Sequence, residues 1–238
     1  LSSSGTTGIG EAPQLSPTYA QYDDGASVFS YYQRFGSLSA LPSGWSSVSG
    51  TQLTYASTYL EAECSQTTGK YYGIYMTPIP STLSSTPVAW DFYGNIWDNG
   101  PAAGNQAGTS TGLPQGGPEG NNVYGYLFFE GAYDYGGTDL IYFYNNNAAT
   151  STGVDDWNTN KVYTMIMNSP TDIEMLLNYT EIYSTTSATS EPISYFGLYT
   201  GYAAAYPSAA PPVYIYWLRA RAAPPNGVMP SVSFGSVS

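Results

Sequence analysis

The chain has no histidine and a single cysteine. Without an imidazole, the Ser-His and Cys-His nucleophilic centres are excluded. One thiol, Cys64, cannot close an intramolecular disulfide or build a multi-cysteine metal site. In LEAEC, Leu60, Ala62 and Cys64 fall on one face of an extended segment, which makes Cys64 a small buried hydrophobe by expectation. Charge is scarce too: charged residues are 9% of the chain, with 5 Lys+Arg against 17 Asp+Glu in 238 residues. Binding nucleic acid or anionic lipid needs clustered Lys and Arg, so neither is an expected partner. No apolar run approaches the length needed to span a membrane, and no stretch carries a helical apolar period.

What is abundant is tyrosine, 25 residues, with five tryptophans beside it. Each such ring buries a large apolar area while its polar tip can stay wet, so the core is expected to be built from rings. The surface left over is Ser, Thr, Asn, Gly and Tyr. Such a surface loses little when carboxylates protonate, which suggests an acid-tolerant extracellular protein. Gly (26) and Pro (17) punctuate the chain into short extended runs rich in Tyr, Phe, Ile and Val. The runs are 52–63, 70–77, 87–97, 123–130, 138–145, 161–168, 171–183, 193–200 and 213–222. MNSPTD (167–172) carries a hairpin signal, with Pro170 where a turn fixes φ. Residues 98–122 read as one long polar loop. Three parts follow: an extended N-terminal tail over 1–18, a β domain over 19–225, and a strand-like C-terminal tail over 226–238.

The chain is organised around PPVYIYWLRARAAPP (211–225). Between its proline pairs both faces of an extended segment are apolar, as in a strand at the middle of a sheet. Alternation places Val213, Ile215 and Trp217 in the core, with Arg219 and Arg221 on that same face near the sheet's end, pairing with carboxylates. This closing stretch and the opening RFGSLSALPSGW (34–45) resemble the concanavalin A-like (lectin/glucanase) jelly rolls of archaeal and bacterial extracellular surface proteins. The resemblance covers roughly residues 19–225. It implies an all-β, two-sheet antiparallel jelly-roll sandwich whose last strand returns beside the first.

Members of that family that cleave glycans carry Glu, an apolar residue, Asp, an apolar residue and Glu; this chain lacks the motif. Its nearest patterns, Glu61-x-Glu63 and Asp172-x-Glu174, read as outward strand faces, with Ile173, Met175, Leu177 and Tyr179 inward. The expectation is therefore no enzyme. Hard oxygen ligands cluster at Asp155, Asp156, Asn158 and Asn160, and again at Asp91, Asn95 and Asp98, the donor type that a structural calcium takes. No other cofactor is implied. Trp97 and Trp157, each inside an Asp/Asn loop, are candidate sugar contacts. Asn178-Tyr179-Thr180 is the one N-x-[ST] sequon, with Asn178 outward and open to a glycan. In the C-terminal tail Val228, Val232, Phe234 and Val237 read as a strand that can pair with a neighbouring subunit, and Ile9 and Leu15 anchor the N-terminal tail. The leading expectation is a non-catalytic structural subunit of an extracellular filament or surface coat, a homo-oligomer or polymer assembling by strand addition. The alternative is a carbohydrate-binding, lectin-like surface module whose partners are glycans.

Overall fold

The structure is a computed structural model that describes residues 29–64, 70–80, 87–96, 105–110, 126–133, 139–145, 148–155, 159–188, 194–202 and 212–223. Among these residues there is no helix; fifteen strands run in chain order. They are β1 (Tyr31–Arg34), β2 (Trp45–Ser47), β3 (Thr51–Tyr55), β4 (Leu60–Cys64) and β5 (Lys70–Met76). Next come β6 (Val88–Asn95), β7 (Asn105–Ser110), β8 (Tyr126–Tyr133), β9 (Asp139–Asn145) and β10 (Ala148–Asp155). The last five are β11 (Lys161–Ser169), β12 (Asp172–Leu177), β13 (Thr180–Thr185), β14 (Tyr195–Tyr202) and β15 (Val213–Ala222).

All pairings are antiparallel and form two sheets. The eight-stranded sheet runs β13-β12-β11-β6-β15-β4-β3, with β1 also on β15; the seven-stranded sheet runs β10-β9-β8-β7-β14-β5-β2. Strand alternation then decides the core. On β12, Ile173, Met175 and Leu177 are buried while Asp172, Glu174 and Leu176 are half-buried. On β6, β11 and β14 alternate residues likewise join one apolar cluster between the sheets, to which β4 and β15 also contribute, although β6 and β11 are buried on both faces. Rings join the two layers: Trp90 of β6 stacks on Phe196 of β14 at 4.8 Å, and Phe143 of β9 meets Tyr183 of β13 at 4.8 Å. Offset ring pairs add to plain area burial. The expected aromatic core and all-β sandwich are both present.

The closing strand lies inside its sheet, as its two apolar faces require. One edge of β15 pairs with β6 along its length; the other is shared by β4 at Val213–Ile215 and by β1 at Trp217–Ala220. The last strand thus returns beside the first. Its side-chain assignment, however, needs a correction. The register with β6 shifts between Ile215 and Trp217, so two residues, Tyr216 and Trp217, oppose the single Tyr93. Such a bulge reverses the alternation beyond it. Val213, Ile215, Leu218 and Ala220 face the inter-sheet core, while Trp217 shares the opposite face with Arg219 and Arg221. Gly94 sits at the bulge because a Cβ there would run into the Tyr214 carbonyl oxygen.

Four further expectations change. The run 171–183 is a hairpin, with Asn178 and Tyr179 as its two-residue turn, so Tyr179 is exposed and not inward. The run 52–63 is likewise two paired strands, β3 and β4. Part of the supposed loop 98–122 is β7, an interior strand between β14 and β8. Its residues Ala107 and Thr109 are buried, but a strand reading NQAGTS carries no apolar signal. β10, AATSTGVD, is likewise a strand without apolar signal, in a stretch not expected to be extended. Both tails, with Ile9, Leu15, Val228, Val232, Phe234 and Val237, lie outside the described residues.

Candidate functional site: the outer face of the eight-stranded sheet

The face of the eight-stranded sheet turned away from the core is not an ordinary wet surface. Asp91 of β6 is fully buried there, and Arg219 of β15, its direct register partner, is 3% exposed. One carboxylate oxygen of Asp91 accepts from Arg219 Nε at 2.8 Å and from Arg221 Nε at 3.3 Å. The other accepts from the Thr164 hydroxyl of β11 at 2.7 Å. The Arg219 guanidinium lies 4.6 Å from the Phe29 ring centre and 4.9 Å from that of Trp217. Its Nη2 donates to the Tyr179 hydroxyl at 3.1 Å. Charges this deep persist only when paired and hydrogen-bonded. The group ties β6, β11, β15 and the β12–β13 turn together under a cover of rings.

Beside this ion group runs a row of tyrosines. Tyr59, just before β4, meets Tyr214 at 5.4 Å and Tyr216 at 5.5 Å. Tyr93 of β6 meets Tyr216 at 5.0 Å and Trp217 at 5.9 Å. The bulge makes this possible, because it turns consecutive residues of β15 to the same side. Tyr59, Tyr93, Tyr214 and Tyr216 are all half-buried, and Asn160 Nδ2 donates to the Tyr216 hydroxyl at 2.9 Å. Burial raises the Tyr93 phenol, with Tyr216 adding to it and the Asn160 contact opposing it. Burial also raises Tyr214, helped by Glu61, Tyr59 and Glu63. Tyr93 and Tyr214 are therefore neutral at physiological pH, each offering one donor, acceptor capacity and an apolar ring face. Glu61 and Glu63 share the outer face of β4 to one side of the rings. Burial, then Glu63, raises the Glu61 carboxyl above its ordinary range.

On the outer face of the seven-stranded sheet one ring is buried by the chain itself. Tyr199 is fully buried with its ring folded back over Gly197, where a Cβ would strike that ring. Elsewhere, Asp172, Glu174, Glu181, Ser184, Thr185 and Thr186 line a hollow of about 460 Å³ on β12 and β13. Glu174 there accepts from Asn168 Nδ2 at 2.8 Å and Glu181 from the Ser184 hydroxyl at 2.7 Å.

The residues singled out in the sequence meet mixed outcomes. Trp97 and Trp157 lie outside the described residues, as do Asp98, Asp156 and Asn158. Asp155 is exposed at the end of β10, and Asn160 is engaged with Tyr216. Asp91 and Asn95 are buried strand residues, and Asp91 spends its carboxylate on two arginines, so neither is a free loop ligand. Among the described residues no group of three or more His, Cys, Asp or Glu could hold a metal ion. Both arginines do pair with a carboxylate, as expected. The tyrosine row was not anticipated. Nothing in the sequence around Tyr59, Tyr93 or Tyr214 signals it, because the row is made by the register between β4, β15 and β6.

No known family profile and no curated protein sequence matches the chain. Solved structures do. The carbohydrate recognition domain of Emp47p is 10% identical, with a TM-score of 0.54 over 81% of this chain and 95% of that one. The Crh5 transglycosylase is 11% identical, with a TM-score of 0.56 over 82% and 85%. Bacillus licheniformis β-glucanase is 11% identical, with a TM-score of 0.53 over 80% and 97%. The fold is the concanavalin A-like jelly roll. At these identities the likeness extends to the fold alone, and the concanavalin A-like sandwich here carries its own outer-face chemistry. Among the described residues no helix is long and apolar enough to cross a membrane.

Proposed function

We propose that this concanavalin A-like domain is a non-catalytic glycan-binding module of an extracellular or cell-surface protein. The observation that carries the reading is the row of four half-buried tyrosines, Tyr59, Tyr93, Tyr214 and Tyr216, on one sheet face. Flat rings with hydroxyl tips suit the apolar and hydroxylated faces of a sugar. Neighbouring strands are about 4.8 Å apart, so a row crossing β4, β15 and β6 matches the length of two or three sugar rings. Glu61 and Glu63 at its edge disfavour anionic glycans and favour neutral or amine-bearing ones. A solved relative of the fold is by name a carbohydrate recognition domain, which agrees with this reading. The test is affinity electrophoresis of the full chain through neutral, amine-bearing and acidic polysaccharides. Selective retardation by the first two, lost in Tyr214→Ala and Tyr216→Ala, is the expected result; equal mobility in every gel would overturn the reading.

A second reading, a structural subunit of an extracellular filament or coat, is favoured by the small number of charges and by the strand-like alternation of residues 226–238. Electron microscopy of the full chain against a chain ending at 225 separates it from the first. Filaments formed only by the full chain support assembly through that tail. The calcium expectation rests on Asp155, Asp156, Asn158 and Asn160, and calcium titration followed by calorimetry tests it through a rise in Tm.

A further inference from the structure

The turn between β12 and β13 is built from unusual residues. A two-residue hairpin of this kind needs positive φ at both positions, which normally selects Asn-Gly or Asp-Gly. Here the pair is Asn178 (φ 48°) and Tyr179 (φ 66°). A tyrosine in the left-handed region is uncommon and costs backbone energy. It is also the one exposed large hydrophobic among the described residues, 49% open to solvent, although its hydroxyl is held by Arg219. The preceding amide is fixed as well. Asn178 Oδ1 accepts from the Val162 N–H at 3.0 Å, and the Asn178 N–H donates to the Val162 carbonyl at 2.8 Å. The oxygen arm of that amide is the one bonded here, and Asn178 as a whole is exposed. Thr180, completing Asn-x-Thr, is exposed too.

We infer that Asn178 is a site of N-glycosylation. The amide is presented on a hairpin turn with Asn178, Tyr179 and Thr180 all exposed, so a sugar joined there starts from the surface of the domain. The exposed ring of Tyr179 beside it is the kind of apolar face that a first sugar residue covers. The covalent step forms a bond from Asn178 Nδ2 to the anomeric carbon of the sugar. It breaks the bond between that carbon and a phosphate oxygen of a polyprenyl-phosphate-linked oligosaccharide donor; the amide proton is lost and the lipid phosphate departs. A glycan here flanks the tyrosine row without filling it. Asn178 docks on β11, two strands from Tyr216 on β15, a separation of roughly 10 Å at the usual strand spacing. The inference therefore stands or falls independently of what the row binds.

The experiment is intact-mass and glycopeptide analysis of the protein purified from its natural source, alongside Thr180→Ala and Thr180→Ser variants made in the same cells. Thr180 is exposed, so both variants keep Asn178 and its bonds to Val162. The expected result is a hexose- or hexosamine-containing mass increment on the peptide holding Asn178 in the wild type and in Thr180→Ser. In Thr180→Ala that increment falls at least tenfold. An unmodified Asn178 peptide in the wild-type protein would overturn the inference, as would an increment undiminished in Thr180→Ala.

Discussion

Alternate residues of β6 are buried equally deeply by opposite chemistry. Trp90 and Phe92 are 1% and 2% exposed in the apolar core, and Asp91 between them is 0% exposed on the other side of the sheet. The inner face is filled by rings stacking across two layers, an interaction that tolerates small shifts. The outer face is held by one carboxylate accepting from two arginines and a threonine, an arrangement with little tolerance for loss. An inner-face residue contributes stability through apolar burial and packing. The outer face instead has register fixed by charge, and on that fixed register the tyrosine row is displayed. Function in this molecule belongs to the face where polar groups are buried for a reason the core does not supply.

The two faces of β6 respond most strongly to substitution at Asp91 and Phe92. Asp91→Ala leaves Arg219 buried with its main partner gone, and a cost of about 3–5 kcal/mol is expected by urea unfolding. Phe92→Ala should cost about the same, roughly 3–5 kcal/mol, through cavity formation. A loss under about 1 kcal/mol for Asp91→Ala would mean that the outer face is not anchored by charge.

The next test acts on the bulge. Gly94→Ala drives a Cβ into the Tyr214 carbonyl, so β6 and β15 must separate there, with an expected cost of about 1–3 kcal/mol. Circular dichroism melts read the stability, and glycan retardation should weaken in parallel. Tyr214→Ala tests the row itself: about tenfold weaker glycan binding, close to 1.4 kcal/mol, is expected with the strands still paired. On the core side, Trp45 Nε1 donates to the Tyr31 hydroxyl at 2.7 Å. Tyr31→Phe should cost about 0.5–1.5 kcal/mol in denaturant unfolding.

The smallest effect is a pH slope. Glu61 is raised first by burial and then by Glu63, so in the window just above the ordinary Glu range the folded chain holds more protons than the unfolded one. Stability from this group therefore falls as pH rises through that window and recovers on acidification. Because Glu61 is only partly buried, solvent screening keeps the effect small. Glu61→Gln should flatten that part of the stability–pH curve, and a curve unchanged by the substitution would remove Glu61 from the account.

Much of the fold was legible because strand alternation is a local property. Ile173, Met175 and Leu177 announce their buried face without any partner, and the proline pairs around 213–222 announce a covered strand. Polar strands were not legible: β7 is buried through its neighbours, β14 and β8, not through its own residues. The candidate site was hidden for a different reason. Tyr59, Tyr93 and Tyr214 stand among 25 tyrosines, and nothing in their immediate neighbours distinguishes them. Only the register brings them together.

The residue pattern alone sets the class of this protein: an all-β sandwich with a ring-filled core, poor in charge, without histidine and without a second cysteine to pair with Cys64. It also determines that residues 213–222 form an interior strand and that Arg219 and Arg221 seek a carboxylate. That the carboxylate is Asp91, 128 residues from Arg219 along the chain, follows from the folded arrangement alone. The same arrangement decides that one extra residue at Tyr216 turns Trp217 and both arginines onto the outer face. A bulge is a property of two strands in register, and no pattern within one strand contains it.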